Sequence, residues 1–459
     1  MVSRKFLWIV SLVLIFSLAC NTAGMLSLGG SEGEQQAEVV ETLEVQPPAA
    51  SATPQPVPQE APTLAPTLEP QLEDEPPAPP PAPEGPFGPQ SYPPGINPLT
   101  GLPVNDPANL LLPPALISIT NWPPAARPAA GLSFSPFVFE LYIGEGMSRF
   151  LGLFYGSYPQ VTDPQNAGNS LVGPIRSGRL PYESLRNLYN GFLVMSSAYS
   201  GVAANLSQFS NIYGSDADDI NSAMIPVDRI EQIAQNNQRR LGENSLQANL
   251  YDETVQPGGQ PANRLWFIYN QINQVVWQYD PEIEAYRRYQ DNADGKTFIQ
   301  ATDRVNGEGL TYENVILLFA QHRACNEVAF DIDLQYIPRA PAILFRDGQV
   351  YPIYWTTKSE EYERTTGKLR PIRFIDQNGN PVALKPGQTW VHLMPLGSTY
   401  WESPDRQEVP LNDAQWVAAD PAGMLYNLLN NKEAGSANWV TRYYASLITY
   451  DQTVCEKLR

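Results

Sequence analysis

From Asn21 to Ala126 the chain carries neither lysine nor arginine, while Glu32, Glu34, Glu73, Asp74 and Glu75 recur and 18 of the 45 prolines fall between Pro47 and Pro94. Within it, residues 21–94 hold almost no aromatic side chains and cannot bury enough apolar surface to offset their ordering entropy. Folding is therefore expected to begin after residue 94, and we expect residues 21–94 to form a disordered, acidic, Pro-rich stalk. Its run PPAPPPAP over Pro76–Pro83 favours polyproline II, which extends by about 3.1 Å per residue and makes a stiff spacer. A Pro-rich ligand for a partner domain is the alternative.

Ahead of the stalk, Arg4 and Lys5 precede an apolar run from Phe6 to Ala19. That run is short for a helix crossing the ~30 Å hydrocarbon core but suits the apolar region of an export signal. Ser17-Leu18-Ala19-Cys20 resembles the bacterial lipobox, with Ser17 where an aliphatic residue is usual. We expect 1–20 to be a lipoprotein signal peptide and Cys20 to be acylated, so that membrane lipid is a partner at the extracellular face of a bacterial membrane. A secreted protein or an uncleaved anchor is the alternative. The net charge of −19 and the missing basic patch exclude nucleic acid as a partner.

The remainder predicts an α+β fold, with a mixed strand/helix N-terminal half packed with a mainly antiparallel β C-terminal half. Ala115–Thr120 (ALISIT) and Arg149–Tyr155 (RFLGLFY) read as buried strands, and Phe192–Ser197 as another. Ser135-Pro136 has the form of an N-cap and first-turn pair, predicting a short helix over Phe137–Tyr142 broken by Gly144 and Gly146. Helices are expected around Tyr182–Tyr189 and over Val227–Arg239. From Arg264 onward aromatic and β-branched runs separated by Asn, Asp and Pro predict antiparallel strands, with turns at Asp347-Gly348 and Asn378-Gly379. The expected parts are 95–255, 256–398 and a helical extension over 399–459, with helices at Pro421–Asn431 and Trp439–Tyr450. An exported protein folds in an oxidising compartment, so Cys325 and Cys455 are expected to pair; two buried free thiols are the alternative.

No catalytic motif stands out. A Gly-x-Ser-x-Gly elbow and a Gly-rich nucleotide loop are absent, and His322-x-x-Cys325 has no second pair to complete a zinc site, so neither a cofactor nor a metal is expected. The candidate ligand-binding group is Glu140, Glu145, Arg149, Arg176, Ser177 and Arg179. Guanidinium forks beside a turn that opens a helix suit a phosphate or carboxylate. The same charges equally suit internal pairing that locks loops onto the core. Glu140 and Glu145 supply the two carboxyls a glycosidase needs. A second candidate is aromatic: Trp266, Tyr269, Trp277, Tyr279, Tyr286, Tyr289, Tyr351, Tyr354, Trp355 and Trp390 either stack on sugars or fill a β-rich core.

Many short pieces recur in an order that resembles the YerB-like lipoproteins, the family of domain of unknown function 3048. They include Asn97–Leu102, Arg127-Pro128, Gly131-Leu132-Ser133, Gly144-Glu145-Gly146, Ser148-Arg149-Phe150 and Gly173–Ser177. In the second half they include Tyr279-Asp280-Pro281, Phe345–Gly348, Arg373-Phe374 and Pro386–Trp390. The resemblance spans about Gly95–Pro395 and implies an envelope-anchored α+β protein with no established biochemical role. Ser118–Asn121 stands where an Ile-Asp-Asn-like pattern is usual, and Ser196–Gly201 where a His-Gly-Gly-like segment often lies. We expect a non-catalytic module binding an envelope glycan or an envelope protein, with an envelope-modifying hydrolase using Glu140 or Glu145 as the alternative.

Overall fold

The computed structural model describes residues 85–158, 170–216, 219–295, 297–326, 329–398, 400–403 and 438–459. The signal segment with Cys20, residues 21–84 of the expected stalk and the expected helix at Pro421–Asn431 lie outside the described residues, whereas residues 85–94, also expected as stalk, pack on the fold, with Phe87 bridged to Tyr251 and the Pro89 carbonyl accepting from Arg373 at 3.1 Å.

In chain order the elements are β1 (Ala115–Thr120), β2 (Phe137–Gly144), β3 (Met147–Phe154), α1 (Pro181–Leu188), β4 (Phe192–Met195), β5 (Phe209–Asn211) and α2 (Val227–Leu241). The second half begins with a meander, β6 (Arg264–Asn270), β7 (Asn273–Asp280), β8 (Ala285–Asp291) and β9 (Phe298–Gln300). Then come β10 (Asn314–Ala320), β11 (His322–Asn326), β12 (Ala329–Ile332), β13 (Ala340–Arg346) and β14 (Gln349–Thr356). The last are α3 (Glu360–Thr366), β15 (Arg373–Ile375), β16 (Thr389–Pro395), β17 (Tyr400–Ser403), β18 (Asn438–Arg442) and α4 (Gln452–Lys457).

An 11-stranded sheet in the order β15-β14-β13-β10-β16-β2-β3-β1-β4-β5, with Gln260–Pro261 on β14, draws strands from both halves of the chain. The join is β16, which pairs in parallel with β10 on one side and with β2 on the other, setting His392 opposite Glu140. Every residue of β1, β2, β10 and β16 is buried. Strands covered on both faces need side chains that are apolar in both directions, as FVFELYIG and TWVHLMP supply. A second sheet, β9-β8-β7-β6-β18-β17, packs over the face of β2, β3 and β16 that carries Glu140, Phe150 and His392. The opposite face meets the α1 region, where Tyr189 lies against Phe137 and Phe139 at ring separations of 6.5 and 6.0 Å.

Two of the three helices expected in the N-terminal half form, those around Tyr182–Tyr189 and over Val227–Arg239. α1 opens on Pro181 with Glu183 in its first turn and Arg186 in its last, an arrangement that complements the helix dipole. α2 buries Val227, Ile230, Ala234 and Asn237, one stripe at helical spacing.

Two expected helices are strands instead. Over Phe137–Tyr142 the Ser135 hydroxyl does not cap; it donates to the Phe137 and Leu153 carbonyls at 2.7 and 3.0 Å, fastening β2 to β3. The glycines then serve the hairpin, with Gly144, Glu145 and Gly146 all at positive φ. A Cβ on Gly146 would fall 1.9 Å from the Asn270 amide nitrogen, so the turn can approach β6 only as glycine. Over Trp439–Tyr450, Trp439-Val440-Thr441 extends as β18 alongside β6, and only Ala445–Leu447 is helical, as a single 3-10 turn. A parallel partner about 170 residues away overrides any local preference. Cys325 on β11 and Cys455 on α4 form a disulfide.

Candidate functional site

β2 and β3 divide the candidate residues between two faces. Glu140 pairs with Phe150 across the hairpin, so Arg149, one position on, points the other way. On that side Arg149, 8% exposed, donates to the Ser177 carbonyl at 2.9 Å and meets the Tyr182 hydroxyl. Arg176 donates to Asn221 Oδ1 at 2.6 Å and to its neighbour's carbonyl, and Arg179 to the Gly178 carbonyl at 3.0 Å. The structure therefore brings Arg149, Arg176, Ser177 and Arg179 together. Burial, and behind it Arg179 and Arg176, push the Arg149 guanidinium down to about 10, with Tyr182 opposing. Glu145 is elsewhere, exposed at the tip of the β2–β3 hairpin.

Glu140 lies fully buried between the two sheets. Its Oε1 accepts from the Ser148 hydroxyl at 2.6 Å; its Oε2 accepts from Arg288 Nη2 at 3.3 Å and from the Trp390 indole at 3.1 Å. His392 Nδ1 stands 3.5 Å from the same Oε2 and 3.3 Å from the Tyr269 hydroxyl. Trp277 Nε1 can only donate, and it donates to His392 Nε2 at 3.0 Å, which assigns the imidazole proton to Nδ1, facing Glu140. Burial, then the Arg288 charge, hold His392 well below its ordinary range, so it is neutral at pH 7. Around Arg288, which is 1% exposed, stand the rings of Trp390, Phe150 and Trp277 at 4.7, 5.2 and 5.8 Å. The network continues from Arg288 to Gln290, on to Asn121 Oδ1 at 2.8 Å, and from Asn121 to Ser148 at 2.7 Å.

Beside Arg288 a cleft of ≈ 160 Å³ opens between the second sheet and the segment Asn121–Leu132. That segment is clamped from the other half of the chain. Asp303 accepts the N–H groups of Gly131 and Ser133 at 2.9 and 2.8 Å, and Arg304 donates to the Pro128 and Ala126 carbonyls at 2.9 and 3.0 Å. Much of the wall is apolar, including Leu132, Phe150, Ile299 and Leu310. Arg127 and Arg288 provide its positive charge. Arg127 donates to the carbonyls of Asn121 and Asp291 at 2.9 and 2.8 Å, yet its Nη2 has no acceptor, and neither has Arg288 Nε. Burial and Arg288 push the Arg127 guanidinium down to about 10, with Asp291 and Glu140 opposing. A pair of guanidiniums with unspent donors in a partly apolar cleft suits a small anion carried on an apolar or sugar body.

Neither Glu140 nor Glu145 lines this cleft. Arg288 is nevertheless legible in the alternation of AYRRYQD, which turns Tyr286, Arg288 and Gln290 to one side, all buried. Of the aromatic candidates, Trp266, Tyr269, Trp277, Tyr286, Tyr351, Trp355 and Trp390 are core, whereas Tyr279, Tyr289 and Tyr354 are half-buried. His322 is buried, pushed down to about 4 by desolvation, and its neighbour Cys325 is spent on the disulfide. Among the described residues no group of three His, Cys, Asp or Glu side chains is placed to hold a metal ion.

The fold and cleft define a two-part α+β protein whose halves share one sheet and meet at Glu140, Arg288 and His392. Residues 99–254 match the N-terminal domain, and residues 266–391 the C-terminal domain, of the protein family of unknown function DUF3048, and the chain belongs to that family. It is similar in fold to the YerB protein from Bacillus subtilis, whose crystal structure aligns with 22% identity and a TM-score of 0.50 over 65% of this chain and 96% of that one. No curated protein matches.

Proposed function

We propose that the protein is a surface lipoprotein that binds and does not catalyse: acylated Cys20 holds it at the outer face of a bacterial membrane, residues 21–84 space it outward, and the folded part takes an acidic envelope glycan in the Arg127–Arg288 cleft. One observation supports this above the others. Each of those guanidiniums keeps a donor without an acceptor beside apolar walls. A carboxylate on a sugar ring satisfies both requirements, with the charge at the arginines and the ring against Leu132 and Ile299.

The hydrolase reading gains nothing comparable. Glu140 is fully buried with both oxygens engaged, and Glu145 lies on the hairpin tip. Calorimetric titration of the full-length chain with glucuronate and with glucose tests the proposal. Glucuronate is expected to bind saturably and glucose not, with the Arg127→Gln variant losing the glucuronate signal. Equal binding of the two sugars, or binding untouched by Arg127→Gln, contradicts it.

A further inference from the structure

A second cleft, of ≈ 320 Å³, lies at Pro89–Gln90, Ala248–Leu250 and the strands β14 and β15. Its lining includes Lys358, Arg370 and Arg373. Among the described residues neither arginine forms a salt bridge. Arg370 Nη2 donates to Thr356 Oγ1 and the Lys358 carbonyl at 3.2 and 3.1 Å, while its Nε has no acceptor. Arg373 is spent on the Gln247 and Pro89 carbonyls. Glu363 reaches Arg370 only through space, because its Oε1 accepts the Ser359 N–H at 3.1 Å and caps α3. Lys358 meets only Glu360, at 3.3 Å, in an exposed pair. Burial and mutual repulsion push the Arg370 guanidinium down to about 10. Two guanidiniums and an ammonium gathered at one cleft, with a guanidinium N–H left without an acceptor, suit an anion.

A different observation points the same way. Asn249 also lines the cleft and is 2% exposed; its Nδ2 faces the Tyr251 hydroxyl, but its Oδ1 has no donor. The Tyr251 hydroxyl beside it donates to the Pro98 carbonyl at 3.2 Å, and the Tyr92 hydroxyl donates to the Asn249 backbone carbonyl at 2.7 Å, so neither hydroxyl proton is offered to the Asn249 Oδ1. A buried carboxamide oxygen left without a donor is rare in a native fold and fits a ligand hydroxyl.

We propose that this cleft is a phosphate site, separate from the Arg127–Arg288 cleft and filled by a phosphoryl group on a small molecule or a headgroup. The Arg370 fork, with the charges of Arg373 and Lys358 beside it, matches the charge of a phosphate monoester, about −1.5 to −2 at pH 7, better than the single charge of a carboxylate. Asn249 takes the hydroxyl beside the phosphate.

Calorimetry of the full-length chain with inorganic phosphate at low ionic strength tests it. Saturable binding is expected, weakened about tenfold or more by Arg370→Gln and about threefold or more by Lys358→Ala, and unchanged by Arg127→Gln, so that failure here is distinguishable from failure of the glycan reading. Lys358 makes only an exposed contact, so Lys358→Ala and Lys358→Glu decide the matter if Arg370→Gln does not fold. Glycerol 3-phosphate binding at least as tightly as phosphate identifies a soluble phosphate ester. Cosedimentation of the Cys20→Ser chain with phosphatidylglycerol vesicles, abolished by Lys358→Glu, identifies a headgroup. Acetate binding as tightly as phosphate, no saturable phosphate binding, or binding undiminished in both lysine variants overturns the proposal.

Discussion

Trp277 on β7 donates its indole N–H to His392 Nε2 on β16 at 3.0 Å, joining the two sheets by a hydrogen bond that fixes the histidine's proton on the side of Glu140. The Glu140 carboxylate accepts from Ser148, Arg288 and Trp390, each from a different strand, so one buried anion ties β3, β8 and β16 to β2.

Breaking that arrangement on one side leaves a buried charge without its partner. Glu140→Leu is expected to destabilise the fold by about 3–5 kcal/mol, because Arg288 is then uncompensated. The double variant Glu140→Leu/Arg288→Met should lose less than the sum of the two single changes. Urea unfolding of all four proteins measures the coupling, and additive losses would show that the pair does not act as a unit.

The arginines on the other face of β3 should separate by burial. Arg149, 8% exposed and bonded to the Ser177 carbonyl, is expected to cost about 1.5–3 kcal/mol on change to Ala. Arg179→Ala should cost less, since the guanidinium is half-buried and its bond goes to the carbonyl of the residue before it. Thermal melts of the two variants test the order.

Asp291 gives a pH signature. Burial pushes its carboxyl from 3.8 up to about 6, and Oδ2 has no partner. A carboxyl raised on folding favours the native state while protonated, so its contribution is full below about pH 4 and is lost as pH rises through about 6. Asp291→Asn should therefore gain stability over wild type at pH 7 and little at pH 4. An advantage of the same size at both values would contradict the assignment.

The Cys325–Cys455 bond closes a loop with a sequence separation of 130 and pins α4 to β11. Lys457–Asp331 at 2.7 Å and Asp451–Arg323 at 2.9 Å reinforce the same contact. Cys455→Ser, assayed by thermal melting against oxidised wild type, is expected to cost up to about 5 kcal/mol in the chain-entropy view. A melt indistinguishable from wild type would mean that the two ion pairs suffice.

Elements with one dominant local signal are legible in the sequence: ALISIT, RFLGLFY, the α2 stripe and the β6–β8 meander. β2 is obscured because Ser135-Pro136 imitates a helix start, and only the β2–β3 pairing reveals that the hydroxyl spans two strands. β18 depends on β6, and β16 reaches its place between β10 and β2 through contacts such as Glu140 with His392 that no local pattern encodes. The turn Gly173–Arg179 correctly gathers Arg176, Ser177 and Arg179 with Arg149. Glu140 looks like their neighbour in sequence, yet strand alternation puts it on the opposite face. Arg127 enters the site only because Asp303 and Arg304, from the other half, hold its loop against β8.

Whether the Arg127–Arg288 cleft holds an acidic envelope glycan is measured most directly by retention of the full-length protein on purified cell-wall glycan, compared with Arg127→Gln and with an Arg179→Ala control. Retention by wild type and the control, lost in Arg127→Gln while its melting temperature is unchanged, is the predicted result. Retention that survives Arg127→Gln, or folded wild type that is not retained, would contradict it.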